Sequence, residues 1–130
     1  MLLPAPGLRS QRQGVAAADW REVIVGLLLL LSGGPPTIIS QPADTTKVEG
    51  TTAVFSVVAS NATRYQWQRS QDNGVSFANV TGATSANYTT PLLVIKQFNG
   101  NLYRVICGNS AGSVTSRAAL LTVTGGGGPE

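Results

Sequence analysis

Histidine is absent from this 130-residue chain and cysteine occurs once, at Cys107. Without histidine, the commonest general base near neutral pH and the commonest metal ligand are both missing. A single cysteine excludes an intrachain disulfide, and a lone thiol in an alternating apolar run reads as a small buried hydrophobe. Charge is sparse as well, at 12% of residues with a formal net charge of +3. From residue 35 onward, Lys47, Arg64, Arg69, Lys96, Arg104 and Arg117 face Asp44, Glu49, Asp72 and Glu130, a difference of six minus four, or +2. No run of lysine or arginine occurs, which excludes a nucleic-acid surface. Serines and threonines are plentiful, but no base is present to activate them. Asp44, Glu49 and Asp72 stand isolated at expected edges and turns, so neither paired acids nor a calcium loop is read from them. The four glycines at 125–128 lack the GK[ST] ending of a phosphate loop. No catalytic, cofactor-binding or metal-ligating residue is expected, and the chain is not read as an enzyme.

Long hydrophobic runs are scarce too. The longest unbroken one, VIVGLLLLL at residues 23–31, makes about 14 Å of helix, less than half of the roughly 30 Å of a bilayer core. With Arg21 before it and Ser32-Gly33-Gly34-Pro35-Pro36 after it, the run fits the apolar core of an export signal. Residues 1–34 are therefore read as a leader, 35–124 as one domain and 125–130 as a glycine-rich linker or tail that implies a neighbouring domain. Membrane association is expected only if the leader is retained. The expected location is secreted or at the cell surface.

What the domain does have is period-two alternation. The stretch TTAVFSVVA from Thr51 places Ala53, Phe55, Val57 and Ala59 on one face, and RYQWQRS from Arg64 places Tyr65, Trp67 and Arg69 on one face. A further run begins at Tyr103 with Tyr103, Val105 and Cys107 inward, turns at Asn109-Ser110-Ala111-Gly112, and returns from Val114 with both parities apolar. Residues 37–41 read as an edge strand between prolines, 75–80 as a fourth strand after the Asp72-Asn73-Gly74 turn, 85–90 as another strand, and 96–101 as a turn. This spacing describes an all-β sandwich of about seven to eight antiparallel strands in two sheets closed around a buried indole. Phe55, Val57, Trp67, Tyr103 and Val105 are its expected structural core. Phe77 and Tyr88 are the nearest candidates for a ligand platform, although each fits a core role better. Three N-x-[ST] sequons occur, at Asn61, Asn79 and Asn87.

With the Glu49-Gly50 pair, WQRSQDNG, GATSANYTTP, Tyr103 and NSAGSVTS, residues 36–124 resemble an immunoglobulin-like domain of the intermediate type. They are most similar to the cysteine-free copies found in bacterial extracellular multidomain proteins. The resemblance implies that Val57 and Val105 occupy the two positions of the usual inter-sheet disulfide and pack with Trp67 in its place. It also implies that Tyr103 forms a tyrosine corner, its hydroxyl bonding backbone a few residues upstream, with Asn99 and Asn101 where the family often has aspartate and glycine. The function implied is a non-catalytic extracellular accessory or spacer module. The alternative is a self-assembling or adhesion module of a filament or surface layer. Expected partners are a neighbouring domain or other copies, with a polysaccharide or surface protein as further candidates.

Overall fold

The computed structural model describes residues 34–126, which contain ten strand segments and one helical turn. The leader, including the apolar run 23–31, and residues 127–130 of the glycine-rich tail lie outside the described residues. The strands are β1 (Thr37–Ser40), β2 (Thr45–Val48), β3 (Val54–Ser56), β4 (Val58–Ser60), β5 (Arg64–Ser70), β6 (Ala78–Asn79), β7 (Asn87–Thr89), β8 (Leu102–Asn109), β9 (Gly112–Thr115) and β10 (Ala119–Thr124). A helical turn, α1 (Ile95–Phe98), precedes β8.

Two pairs of segments are separated by short irregular stretches, Val57 alone between β3 and β4 and residues 116–118 between β9 and β10. Between β3 and β4, Val57 stays buried and its amide donates to Ala86 O at 3.1 Å, so inward parity runs unbroken from Ala53 through Val57. Between β9 and β10, Ser116 N donates to Val105 O at 2.8 Å, while its own hydroxyl accepts the Val105 amide at 2.9 Å and donates to Arg117 O at 2.8 Å. The serine side chain thus supplies the ladder bond that the bend removes, as a buried amide requires.

One layer is built from β1 paired with β4 and β3 paired with β7; the other runs β2-β10-β8-β5-β6, with β9 also paired to β8. One pair departs from the all-antiparallel expectation, because β2 runs parallel to β10, Leu121 beside Thr45 through Thr124 beside Val48. The cause is a crossing of the chain between layers at Pro42, which is fully buried. On either side of it, Gln41 Oε1 accepts the Arg117 amide and Asp44 Oδ1 accepts the Leu120 amide, each at 2.9 Å. These two side chains hold the entering segment against β10 before main-chain pairing begins.

The strand expected over residues 75–80 shrinks to Ala78–Asn79. Asp72 captures what would have been its start: Ser76 N and Oγ donate to the carboxylate at 2.9 and 2.6 Å, and Ser70 Oγ donates at 2.7 Å. Asn73 and Gly74 take positive φ of 59° and 87°, which closes the loop. Residues 96–101, read as a plain turn, contain part of α1, in which Phe98 N donates to Val94 O at 3.0 Å and the Phe98 ring enters the core. Gly100, at φ 88°, then reverses the chain into β8. One helical turn is too short to show a 3.6-residue period.

Four aromatic rings tie the layers together. Phe55 on β3 stacks on Tyr103 of β8 with centroids 4.8 Å apart, and lies 6.4 Å from Trp67 of β5. Tyr88 on β7 contacts Trp67 at 6.2 Å and Tyr103 at 5.7 Å. Trp67 Nε1 donates to Ser85 O at 2.8 Å, so burying the indole leaves no orphaned donor. Val57, Val105 and Cys107 are buried with these rings, as are Leu93, Ala119, Leu121 and Val123. The inward parity of β10, open in the sequence, is that of Ala119, Leu121 and Val123.

Tyr103 differs from the expected corner. Its hydroxyl accepts from Asn101 Nδ2 at 3.4 Å, and the same amide donates to Gln97 O at 3.2 Å. Asparagine at the family's glycine position therefore relays the bond to upstream backbone. Burial raises the Tyr103 phenol above its usual range, with this hydrogen bond opposing the shift.

Candidate functional site

The two layers present outer faces of different chemistry. Alternation sends Thr37, Ser40, Val54, Ser56, Val58, Ser60, Asn87 and Thr89 outward on the β1-β4-β3-β7 layer, the cross-strand pairs being Thr37 with Ser60, Ser40 with Val58, Val54 with Thr89 and Ser56 with Asn87. None of these residues is charged. Val54 and Val58 are 51% and 52% exposed, and Ile39, at the irregularity of β1, is 68% exposed.

The opposite face is built around Arg104 on β8. Its guanidinium lies 3.8 Å from the centroid of the Phe77 ring, and its Nε donates to Gln68 Oε1 at 2.8 Å. Gln68 Nε2 in turn donates to Asn79 Oδ1 at 2.9 Å. The register explains the alignment, because Gln68 sits directly across from Arg104 on β8 and from Asn79 on β6. One row further, Gln66 faces Ile106, and its Nε2 caps the β5 edge by donating to Trp67 O and Val80 O at 2.9 and 3.0 Å. Arg64 lies flat over Gly108, so close that a β-carbon there would meet the guanidinium at 2.8 Å. No outward strand position on this face carries a carboxylate.

Between the two faces, along β7, the sandwich is open. Residues 80–83 run beside β5, where Trp67 N donates to Ala83 O and Val80 N to Trp67 O, both at 2.9 Å. Residues 84–86 then cross to β7, so among the described residues no strand covers its outer edge. Thr90 N donates to Ala53 O and Val57 N to Ala86 O, which assigns the even-numbered residues of this segment to bonding with β3. By the alternation of an antiparallel ladder, the amides and carbonyls of Asn87 and Thr89 point away from the sheet. They border a groove of about 290 Å³ lined by residues 81–85 and 87–89.

The structure distributes the residues singled out in the sequence as follows. Phe55, Val57, Trp67, Tyr103 and Val105 lie together in the interior. Tyr88 is half-buried in the aromatic cluster with one side on the groove, and Phe77 is half-buried beneath Arg104 on the other face. These two do not form one platform. Gln66, Gln68 and Arg104 were not singled out, although glutamines alternating at an outward parity and a basic residue in the facing strand were visible signals. Cys107 is wholly buried and its thiol is pushed up by burial, so the thiolate is disfavoured. Among the described residues no group of three or more His, Cys, Asp or Glu could hold a metal ion, and no helix is long and apolar enough to cross a membrane.

This architecture is that of an immunoglobulin-like β-sandwich without an intrachain disulfide. The chain belongs to the family described as a domain of unknown function, DUF8696, whose model matches residues 37–125. Among curated proteins, none matches it. Among solved structures, it is similar to immunoglobulin domains one to five of Sidekick-1, at 25% identity and a TM-score of 0.52 over 70% of this chain and 20% of that one. It is also similar to tandem Ig repeats of Dlar, at 20% identity and a TM-score of 0.54 over 69% of this chain and 48% of that one. An I-band fragment of titin is 17% identical with a TM-score of 0.54, over 71% of this chain and 33% of the fragment. The chain thus spans about a fifth of the Sidekick-1 structure and under half of the Dlar repeats.

Proposed function

We propose that the domain is an adhesion or assembly module, secreted or displayed at a cell surface, that joins neighbouring immunoglobulin-like modules or other copies of itself. The observation that carries this reading is the Arg104 face. Arginine, aromatic and amide side chains are enriched where proteins meet, and the anchors that dominate binding are held rigid before contact. Here Gln68 and Phe77 fix the guanidinium, which lowers the entropy lost on docking. With no carboxylate at its outward strand positions, this face offers its positive charge to an acidic region of the partner. The tandem immunoglobulin domains of Sidekick-1 and Dlar support a setting among neighbouring modules. A spacer role asks nothing of the Arg104 network, so the assembly reading is preferred.

Sedimentation of the full chain over a wide concentration range tests the proposal. Concentration-dependent association is expected, weakened at least about tenfold by Arg104→Ala, a loss of about 1.4 kcal/mol of binding. The variant should keep wild-type unfolding to within roughly 1 kcal/mol, since the contacts it removes, a cation–π pair with Phe77 and a hydrogen bond to Gln68, are partly exposed. A wild-type chain that stays monomeric throughout, or an Arg104→Ala chain that associates equally well, counts against it.

A further inference from the structure

The geometry points to Asn87 as an N-glycosylation site whose glycan covers the open β7 edge, an inference that rests on the extracellular reading above. Three sequons are present, and the fold separates them. Asn61 sits at φ 63° in the turn before β5 with its carbonyl accepting Asn109 Nδ2 at 2.8 Å, and the Thr63 hydroxyl of that sequon is tied to Gly108 O at 3.3 Å. Asn79 belongs to the Arg104 network through Gln68, so a glycan there would stand on the face assigned to assembly. Asn87 and Thr89 are both exposed, and their side chains make no hydrogen bond among the described residues.

Position adds a reason. An exposed, uncharged sheet edge is a template for pairing with another chain, and folded proteins block such edges. Among the described residues the β7 edge has no lysine, proline or covering strand, and beside it lies the neutral face with exposed Val54 and Val58. A hydrophilic glycan on Asn87 would occupy the space above the groove, whose lining is rich in threonine and serine hydroxyls. It would shield this layer while leaving the Arg104 face free on the other sheet.

In the reaction, Asn87 Nδ2 attacks the anomeric carbon of a lipid-linked pyrophosphate oligosaccharide, the donor supplied with its transferase by a secretory compartment. The C–N bond forms and the C–O bond to pyrophosphate breaks. The lipid pyrophosphate leaves with the electron pair, and the amide loses one proton to the transferase base. Transfer precedes folding, and the fold then decides which glycosylated product is tolerated.

The test is the full chain expressed in cultured animal cells, collected from medium and lysate. Peptide mapping follows digestion with an amidase that converts an occupied asparagine to aspartate. Conversion at Asn87 is expected, with loss of one glycan mass in Asn87→Gln and in Thr89→Ala, and retention in Thr89→Ser. Asn87 recovered as asparagine from both fractions overturns the proposal, whatever the Arg104 variant does in sedimentation. For shielding, glycan-free Asn87→Gln should associate more strongly than the glycosylated chain, and Val54→Lys should reverse that gain. Equal association of glycosylated and glycan-free protein overturns the shielding role.

Discussion

The two outer faces of this sandwich use the same strand geometry for opposite ends. On the β1-β4-β3-β7 layer, eight outward positions hold only threonine, serine, asparagine and valine, with no charge. On the other layer, Arg104, Phe77, Gln68 and Asn79 hold one another in place. A sheet exposed on one side needs only polar outward residues to fold. The neutral face meets that minimum, whereas the linked network exceeds it. The difference locates candidate function away from the core, which both layers share.

The comparison breaks most severely where the layers depend on the same atoms. Trp67→Ala should cost about 3–5 kcal/mol, because the indole, carried by β5, touches two rings of the opposite layer and leaves a cavity when removed. Denaturant unfolding followed by probes on each layer should show one coincident transition at a lower midpoint. Separate transitions would mean that the layers are stabilised independently.

A smaller and matched effect is expected at two buried hydroxyls, one on each layer. Thr90 Oγ1 accepts the Ala53 amide and Ser116 Oγ accepts the Val105 amide, both at 2.9 Å. Thr90→Val and Ser116→Ala each leave a buried amide unpaired, at about 1–3 kcal/mol apiece. The two are distant enough to add, so a double variant that costs markedly less than the sum would show coupling between the layers.

The faces themselves should separate in the next tier. Val54→Lys, on an exposed position of the neutral face, should leave stability within roughly 0.5 kcal/mol while reducing association of glycan-free protein, as read by light scattering. Arg104→Ala acts on the other face. If both substitutions weaken association equally in glycosylated protein, the assignment of assembly to a single face fails.

The smallest effect concerns Asp72, whose loop joins β5 to β6 beside the Arg104 network. Hydrogen bonds from Ser76, side chain then backbone, and from Ser70 lower its pKa from 3.8 to about 2. The folded value lies below the unfolded one, so the stabilisation is complete above pH 3.8 and is lost as pH falls toward 2. Amide exchange at Ser76 should accelerate over that interval, and Asp72→Asn should flatten the dependence. The carboxylate is exposed, and unfolding as a whole should shift little.

Much of the interior was legible because alternation and ring size carry it. Phe55, Val57, Trp67, Tyr103, Val105 and Cys107 share inward parity along their strands. Phe98 and Leu93 were not legible, since one helical turn and an unbroken apolar run of four, Leu92 to Ile95, show no period. Phe77 and Tyr88 looked alike in sequence, as aromatics near turns, yet they lie on different sides of a sheet. Arg104 and Gln68 are 36 positions apart, and only strand pairing makes them neighbours.

The chain alone determined that the domain is a β-sandwich without an intrachain disulfide, because residue inventory and period-two patterning are local properties. Tertiary structure decided that β2 joins β10 in parallel, which parity of β10 faces inward, that no described strand covers the β7 edge, and that Arg104, Phe77, Gln68 and Asn79 meet. These are outcomes of register and of which layer the chain enters after Pro42. Such choices depend on pairing between distant segments, which no local pattern records.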